Sequence, residues 1–239
     1  RVRSGAPLAD KEVPVTGFAP HLSILSSPQR KLWPELAAIP SHFVLYGGTA
    51  IALRLGHRPS VDFDFLSHRA FAVDELTSQI AFLEKAERLR VAPDTLTVSV
   101  PAGGPVAVSF FGGIRFGRVG TPDRLPENGI AVASLLDLAA TKAAVVQQRA
   151  EAKDYLDLHA LIRAGLSLET ALGAAQVLYG SQFNPAITLK ALAYFGDGDL
   201  PSIPPEVRAL LQEKSSRVGH IPTLALASTV LGLEDSAGP

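Results

Sequence analysis

The segment from Phe43 to Leu66 most constrains the fold of this chain, because its 24 residues predict a strand, a glycine turn, a helix, a loop and a second strand. Residues 43–46 are apolar and β-prone, as in a buried strand. Gly47 and Gly48 interrupt this run at a point where the backbone must turn without a Cβ in the way. Good helix formers follow, and Gly56 is predicted to end the helix about two turns later.

The glycine turn is predicted to hold a phosphate. Thr49 has a side chain suited to a helix N-cap, so we expect it to cap the helix. The amides of a first helical turn have no intrahelical acceptors and lie at the positive end of the helix dipole. Gly47, Gly48 and Thr49 are therefore the predicted cradle for a phosphate of a nucleotide.

Two acids alternate with apolar residues along the second predicted strand. Val61, Phe63 and Phe65 are expected to face a core, whereas Asp62 and Asp64 share the opposite face. The Cα atoms of the two acids should be roughly 7 Å apart, from a rise of about 3.3 Å per residue. Such a pair can hold Mg²⁺ (or Mn²⁺) that keeps open positions for substrate phosphates. A phosphate cradle beside two carboxylates predicts metal-dependent chemistry on a nucleoside triphosphate.

Two glycines, a helix and an Asp-x-Asp that begins 14 residues after the second glycine resemble the signature of the DNA polymerase β-like nucleotidyltransferase superfamily. The segments Gly-Gly-Thr-Ala and Leu-Gly-His-Arg-Pro-Ser-Val-Asp-Phe-Asp-Phe resemble its AbiEii/AbiGii branch, the toxin half of type IV toxin-antitoxin and abortive-infection systems. The resemblance covers roughly residues 22–215. It implies an α/β fold, in which a polymerase β-like nucleotidyltransferase core with a small mixed sheet is followed by a helical C-terminal part.

The interpretation of two positions near the acids, Arg58 and Ser109, depends on this resemblance. Arg58 falls where the branch carries Arg-x-Ser, and it either holds a triphosphate oxygen or pairs with Asp62 or Asp64. Most members of the superfamily have a third carboxylate on a later strand, but the matching residues 106–111 contain no acid. Ser109 stands about where that acid is expected, and we interpret it as a strand residue only. This departure bears on the number of metal ions more than on nucleotide binding.

A second motif lies in the helical half of the chain. Residues 133–150 predict one helix, and on spacing alone Lys153 pairs with Asp157 in a surface stripe. The pattern Lys-x6-Arg-x3-Lys-Asp-x2-Asp-Leu resembles the second signature of the AbiEii-like branch, which implies that Lys142 and Asp154 are its functional lysine and aspartate. A lysine suits the neutralisation of a triphosphate. Asp154 either acts as a base toward an incoming hydroxyl or orients Lys142 or Lys153.

Composition limits the partners and the location. The 239 residues carry a formal net charge of −1 with a pI of about 6.7, so any contact with RNA must come from a local basic patch. The chain has no cysteine, which excludes disulfides and thiolate metal sites and fits a cytoplasmic location. No apolar run reaches the 18 or so residues of a membrane helix, so we expect no membrane partner.

Periodicity predicts the supporting elements and a division of the chain. Thr95–Val100 and Pro105–Phe111 are predicted to form a β-hairpin. The other predicted helices are residues 27–39, 72–90, 167–179, 185–195, 205–217 and 221–231, with a loose tail at 234–239. The predicted parts are an N-terminal arm (1–20), a nucleotidyltransferase core (21–130) and a helical domain (131–239).

Residues and resemblance together predict a Mg²⁺-dependent nucleotidyltransferase that acts as the toxin of a toxin-antitoxin or abortive-infection system. Asp62, Asp64, Lys142 and Asp154 are the predicted catalytic residues, and the first two are the metal ligands. An acceptor hydroxyl would attack the α-phosphate of a nucleoside triphosphate and release pyrophosphate. The resemblance implies an RNA acceptor, for example a tRNA end, or a protein acceptor, and a cognate antitoxin.

Two alternative functions stay open at this point. One is a small-molecule nucleotidyltransferase of the antibiotic-modifying kind, which would need no RNA-sized basic surface. The other is a non-catalytic nucleotide-binding interaction protein whose chemistry lapsed with the third acid. The presence of all four predicted catalytic residues favours an enzyme, because decay would be expected to remove some of them.

Overall fold

The computed structural model describes residues 18–233 and has the α/β fold that the sequence predicts. Of the predicted arm, residues 1–17 lie outside the described part, as does the whole predicted tail, 234–239. The helices are α1 (Ser27–Leu32), α2 (Gly47–Leu55), α3 (Val73–Gln79), α4 (Leu135–Val145), α5 (Ala152–Arg163), α6 (Leu168–Tyr179), α7 (Pro185–Ala193) and α8 (Pro205–Arg217). The strands are β1 (Val44–Tyr46), β2 (Asp62–Leu66), β3 (Glu87–Ala92), β4 (Thr95–Pro101), β5 (Pro105–Phe111), β6 (Asp123–Arg124) and β7 (Ala131–Val132).

One mixed sheet contains these strands in the order β3-β4-β5-β2-β1-β7-β6. The middle strand, β2, is antiparallel to β1 and parallel to β5. Phe63 and Phe65 of β2 are fully buried, and Phe65 stacks on Phe110 of β5 with ring centroids 5.6 Å apart. Hydrogen bonds on both edges and apolar packing below therefore fix the position of every side chain on β2.

The alternation of β2 holds from Asp62 onward, but the prediction for Val61 is wrong. Pairing with β5 begins at Asp62, which lies opposite Ala107. Val61 precedes the strand and is 63% exposed, so it is not a core residue. The reason is that no neighbouring strand pairs with this position.

The segment after β2 also differs from its predicted single helix. α3 ends at Gln79, and Glu87–Ala92 forms the edge strand β3, antiparallel to β4. Leu76, Ile80 and Leu83, whose spacing predicted the helix, are buried, but the last two lie beyond the end of α3. Leu89 and Val91 on β3 are more than half exposed. Hydrogen bonds to the β4–β5 hairpin, whose prediction is confirmed, decide the structure of these residues.

The predicted helix over 133–150 is the shorter helix α4, and a separate helix follows it. α4 ends at Val145 and α5 starts at Ala152, with a turn between them. The Ala152 amide donates to the Asp199 carboxylate over 2.6 Å, so a residue 47 positions away satisfies the first turn of α5. The break allows α5 to lie beside α4 instead of extending it.

Three of the four helices predicted after residue 166 are confirmed as α6, α7 and α8. The fourth is wrong, because residues 221–231 run without a helix. Ser228 there accepts a backbone hydrogen bond from Arg118 over 2.9 Å, and Ala227 donates one to Arg118 over 2.8 Å. Pairing with a distant loop thus replaces the intrahelical hydrogen bonds. The segment predicted over 27–39 is α1 followed by a 3-10 turn, Trp33–Ala38.

Buried apolar side chains form two clusters. One surrounds the sheet and the other lies among α4 to α8, and α4 contributes to both of them. The division at residue 130 remains a prediction; β7 lies just beyond it and hydrogen-bonds to β1. Across residues 18–233, none of the helices has the length and apolar character needed to span a membrane.

Candidate active site

A cavity of about 600 Å³ lies between the middle of the sheet and helices α4 and α5. Its walls come from the β1–α2 turn, the residues before and on β2, and one face each of α4 and α5. Six of the eight predicted site residues line it, and two, Thr49 and Asp154, do not. Those that do are Gly47, Gly48, Arg58, Asp62, Asp64 and Lys142.

Neighbouring side chains lie so close to the turn that only glycine fits at both of its positions. Gly47 has φ +74°, and a Cβ built on it would lie 2.6 Å from Oδ2 of Asp64. A Cβ on Gly48 would lie 2.5 Å from Nη2 of Arg58. The carboxylate of Asp64 and the guanidinium of Arg58 therefore approach the backbone of the turn in space that a side chain would fill.

Thr49 is not the helix cap that its residue type predicts. α2 begins at Gly47, its N-cap position is Tyr46, and no side chain caps it. The Thr49 hydroxyl is buried, donates to the backbone carbonyl of Asp62 and lies 2.8 Å from the Ser60 hydroxyl. It thereby ties α2 to the start of β2 and fixes the distance between the turn and the acids.

Asp62 and Asp64 face the cavity without a protein partner. Within residues 18–233, neither carboxylate forms a hydrogen bond or ion pair with another residue. Burial raises the pKa of Asp64, and the charge of Asp62 raises it further, although Lys142 lowers it in part. Two close carboxylates that repel each other at the edge of a cavity are suited to a divalent cation, which would remove this repulsion.

No third acid joins this pair. Among the described residues, no three His, Cys, Asp or Glu side chains are grouped so that they could hold a metal ion. Ser109 lies opposite Asp64 on β5, its hydroxyl is 3.2 Å from that of Thr97, and it does not line the cavity. Its surroundings agree with its interpretation as a strand residue. A bound metal ion would thus have two protein carboxylates and would keep its other positions for water or substrate.

A buried charge network stands across the cavity from the acids, and Asp157 is its centre. Asp157 has no solvent exposure. It accepts hydrogen bonds from Nε and Nη2 of Arg58 over 2.7 and 2.9 Å, and it lies 2.7 Å from both His57 Nε2 and Lys142 Nζ. Burial alone would raise the pKa of Asp157, but these hydrogen bonds and charges hold it well below its ordinary range.

These contacts contradict two expectations from spacing. Arg58 pairs with Asp157 and with neither Asp62 nor Asp64. Lys153 pairs with Glu151 over 2.9 Å and leaves Asp157 to its other partners. Arg58 pairs with a buried carboxylate 99 residues away because a buried charge must be paired, whereas Lys153 pairs at the surface with an acid two residues away.

Asp154 forms the second half of the network. Its carboxylate is fully buried and accepts hydrogen bonds from Lys142 Nζ over 2.6 Å and from Arg149 Nε over 2.8 Å. Burial works to raise its pKa, but the hydrogen bonds from Arg149 and Lys142 outweigh burial and lower it. Lys142 therefore lies between two ionised carboxylates. Because an ammonium has three N–H donors, one is left for the cavity that Lys142 lines.

Sequence reasoning missed Asp157, His57 and Arg149 as members of this network. One available signal was the spacing of Asp154 and Asp157, which are three residues apart and so share a face of α5. Two acids on the face that also meets Lys142 predict a shared cation rather than a surface stripe. Nothing in the sequence around His57 indicated that it contacts Asp157.

The remaining wall of the cavity is aromatic. Tyr46, Phe116 and Tyr179 line it, with ring centroids 6.4 Å apart for the first pair and 5.2 Å for Phe116 and Tyr179. Burial, followed by the charge of Asp137, raises the pKa of both tyrosines, so their hydroxyls stay neutral. The cavity thus has an acidic side, a basic side and an aromatic end.

The glycine turn, α2 and the two acids of β2 thus line one cavity, as the resemblance to nucleotidyltransferases predicts. The sequence profile of the nucleotidyl transferase AbiEii toxin family of type IV toxin-antitoxin systems matches residues 35–218. The chain belongs to this family, and its class is that of the nucleotidyltransferases.

Individual proteins are similar to the chain to different degrees. The uncharacterized protein aq_aa25 of Aquifex aeolicus (strain VF5) is 33% identical over 162 residues, which cover 66% of this chain and 76% of that protein. The structure of MenT4, the nucleotidyltransferase toxin Rv2826c of Mycobacterium tuberculosis H37Rv, has a TM-score of 0.52 at 16% identity and covers 80% of this chain and 82% of MenT4. It shares the fold. An antigenic nucleotidyltransferase-like protein of Paracoccidioides brasiliensis has a TM-score of 0.47 at 19% identity, covering 80% of this chain and 95% of that one.

Proposed function

We propose that this toxin-family nucleotidyltransferase transfers a nucleoside monophosphate from a nucleoside triphosphate to an RNA, for example a tRNA, or to a protein, with Mg²⁺ (or Mn²⁺) and release of pyrophosphate. The observation that carries the proposal is one cavity lined both by the glycines of the turn and by Asp62 and Asp64, whose carboxylates have no partner among the described residues. A cognate antitoxin is the proposed protein partner, because the family belongs to type IV toxin-antitoxin systems.

Asp62 and Asp64 are the proposed metal ligands, since neither carboxylate has a partner among the described residues. Burial and the charge of Asp62 both raise the pKa of Asp64. When bound, the metal ion would neutralise charge on the triphosphate and stabilise the attacking and leaving oxygens. The protein's own part is to hold two ionised carboxylates at a fixed spacing on a rigid strand. Thr49 contributes to this rigidity through the Asp62 carbonyl.

Phosphate contacts are proposed for the turn and for the basic wall. The amides of Gly47 and Gly48 would bind phosphate oxygens at the start of α2. Lys142 would use its remaining N–H, and Arg58 stays a proposed nucleotide-binding residue that Asp157 holds in place at the cavity wall. Together these groups would stabilise negative charge that develops during transfer.

Asp154 is proposed to orient Lys142 and Arg149 rather than to act as a base. Both of its oxygens accept hydrogen bonds from these cations, and it does not line the cavity. Its lowered pKa makes it a poor proton acceptor at neutral pH. The aromatic end, formed by Tyr46, Phe116 and Tyr179, is proposed to stack on the nucleobase.

Label transfer tests the proposal. The protein is incubated with each α-³²P nucleoside triphosphate, Mg²⁺ and either total cellular RNA or total protein, with and without excess EDTA. We expect label in one macromolecular fraction, at least roughly 10³-fold above the EDTA reaction, because a metal ion contributes several kcal/mol to such a transition state. Label in neither fraction, with measurable nucleotide binding, would refute these acceptors and favour the small-molecule or non-catalytic alternatives.

Alanine substitutions at Gly47 and at Gly129 distinguish the role of the turn from the effect of backbone strain. Gly47 and Gly129 have nearly equal φ, +74° and +72°, but a Cβ on Gly129 meets nothing within 4 Å. Both Gly47→Ala and Gly129→Ala should cost about 1–2 kcal/mol of stability from the left-handed backbone. Only Gly47→Ala should displace the Asp64 carboxylate and lower label transfer, by roughly 10²-fold. Equal transfer rates for the two variants, measured with equal folded fractions, would contradict the close contact.

A further inference from the structure

A second cavity of about 420 Å³ lies where the end of α2 and the following loop meet α5. Half of its lining residues are basic and none is acidic. The basic ones are His57, Arg58, His159 and Arg163. This concentration of positive charge stands out on a chain whose formal net charge is −1.

We propose that this cavity binds a phosphate group in the backbone of a polynucleotide acceptor while the acceptor's reacting end lies in the catalytic cavity. The inference rests on the proposed function, because it assumes that the acceptor is RNA. It assigns to the acceptor a docking surface that adjoins the nucleotide contacts at Arg58 and extends beyond them to Arg163.

Arg163 carries the positive charge of the cavity that has no local counter-ion among the described residues, since Arg58 and His57 both pair with Asp157. Arg163 is exposed, and no ion pair or hydrogen bond of its guanidinium is found among residues 18–233. Burial lowers the pKa of the neighbouring His159, and the charge of Arg163 lowers it further, against an opposing effect of Glu206. Both side chains line the cavity, so the charge of Arg163 acts on the same space as the imidazole of His159.

The cavity floor adds to this charge. The network behind it has four cations, Arg58, Lys142, Arg149 and Lys153, against the carboxylates of Glu151, Asp154 and Asp157, so one positive charge is left over. His57 donates Nε2–H to Asp157, and its Nδ1 is buried without a hydrogen-bond partner in the described part of the chain. An anionic oxygen beside this network would meet a net positive charge, whereas Nδ1, an acceptor in this tautomer, would not donate a hydrogen bond to it.

The position of the cavity favours a long acceptor over a small one. Arg58 lines both cavities, so the two adjoin. On α5, Lys153 lines the catalytic cavity and Arg163 the second cavity, ten residues further on. That separation is about 15 Å along the helix axis, from a rise of 1.5 Å per residue. A nucleotide in the active site does not need this second site, whereas a polynucleotide presents a phosphate at each step along such a path.

Binding of bulk tRNA to the full chain, without nucleoside triphosphate, tests the surface. Arg163→Glu should weaken binding roughly tenfold at low salt and reduce the slope of log K against log salt by about one. Lys214→Glu is the matched control, since Lys214 is also an exposed cation in the last turn of a helix, α8, but lies outside the cavity; it should change binding less than about twofold. Ala164→Glu, which adds a negative charge at the cavity rim without removing Arg163, should weaken binding as Arg163→Glu does.

Several outcomes would overturn the proposal. Equal affinities of the wild type, Arg163→Glu and Lys214→Glu, or no tRNA binding by the wild type at low salt, would each do so. Millimolar inorganic phosphate at constant ionic strength should displace little tRNA, and complete displacement would assign the cavity to a free phosphate. If the wild type transfers label to RNA but Arg163→Glu binds tRNA as tightly as the wild type, the docking surface is refuted and the proposed function is not. If Arg163→Glu binds tRNA more weakly but the wild type transfers no label, the docking surface is supported and the proposed function is refuted.

Discussion

Replacing Asp62 and Asp64 together with Asn is expected to lower nucleotide transfer roughly 10³-fold or more, while the fold persists. The amides of Asn keep the size of the side chains but remove both charges, and with them the proposed contribution of a metal ion. That contribution amounts to several kcal/mol, and each 1.36 kcal/mol or so corresponds to a factor of ten in rate. Initial rates of label transfer across a range of Mg²⁺ concentrations measure the loss.

The same double variant should be at least as stable as the wild type in the absence of metal. Burial and the charge of Asp62 both raise the pKa of Asp64, which means that the fold disfavours the ionised pair. Asn removes that repulsion, so the melting temperature in EDTA should stay equal or rise, and added Mg²⁺ should stabilise the wild type only.

Asp74→Asn is the matched control for this double variant. Asp74 is an acid of the same type on the exposed surface, away from the cavity, and its loss should change neither transfer nor the response to Mg²⁺. Wild-type transfer rates in the double variant would refute the assignment of Asp62 and Asp64 as metal ligands. A lower melting temperature in EDTA would contradict the repulsion between them.

The parts of the site that the sequence predicts are local in the chain. The glycine turn and the alternation of Asp62 and Asp64 with buried phenylalanines depend on neighbours within a few residues, and period-two patterning decides which face each side chain takes. Strands β1, β2, β4 and β5 and the three helices α6, α7 and α8 follow from periodicity in the same way. Val61 is the exception, because exposure at a strand end depends on which strand pairs there.

The parts that the sequence does not predict depend on distant partners. β3 is a strand because the hairpin offers it hydrogen bonds, and α5 starts at Ala152 because Asp199 satisfies its first amide. The charge network joins Arg58 to Asp157 across 99 positions, and no periodicity reports such a pairing. Spacing rules describe exposed helix faces, where pairs are weak, and they fail where a buried carboxylate must be neutralised.

Asp157→Asn is expected to have the largest effect on stability of any single conservative substitution in the site. It leaves the cations of Arg58 and Lys142 in a buried network without their shared counter-ion, a change that costs about 3–5 kcal/mol in comparable cases. For a chain of this size each kcal/mol lowers the melting temperature by about 2–4 °C, so thermal unfolding should shift by roughly 6–20 °C. Asp74→Asn, which breaks an exposed pair with Arg88, should shift it little.

The pH dependence of unfolding distinguishes a lost charge from a lost packing contact. The pKa of Asp157 is lowered in the fold, so its ionised form stabilises the folded state above the ordinary aspartate pKa of about 3.9, and this stability disappears as the pH falls below that value. The variant should therefore be less stable than the wild type at neutral pH, with a difference that shrinks in acid. Removing the partner cation as well, in Arg58→Met/Asp157→Asn, should recover part of the lost stability, because an unpaired buried charge costs more than an absent pair. A pH-independent difference, or no recovery in the double variant, would show that Asp157 stabilises the fold by packing and not as the counter-ion of the network.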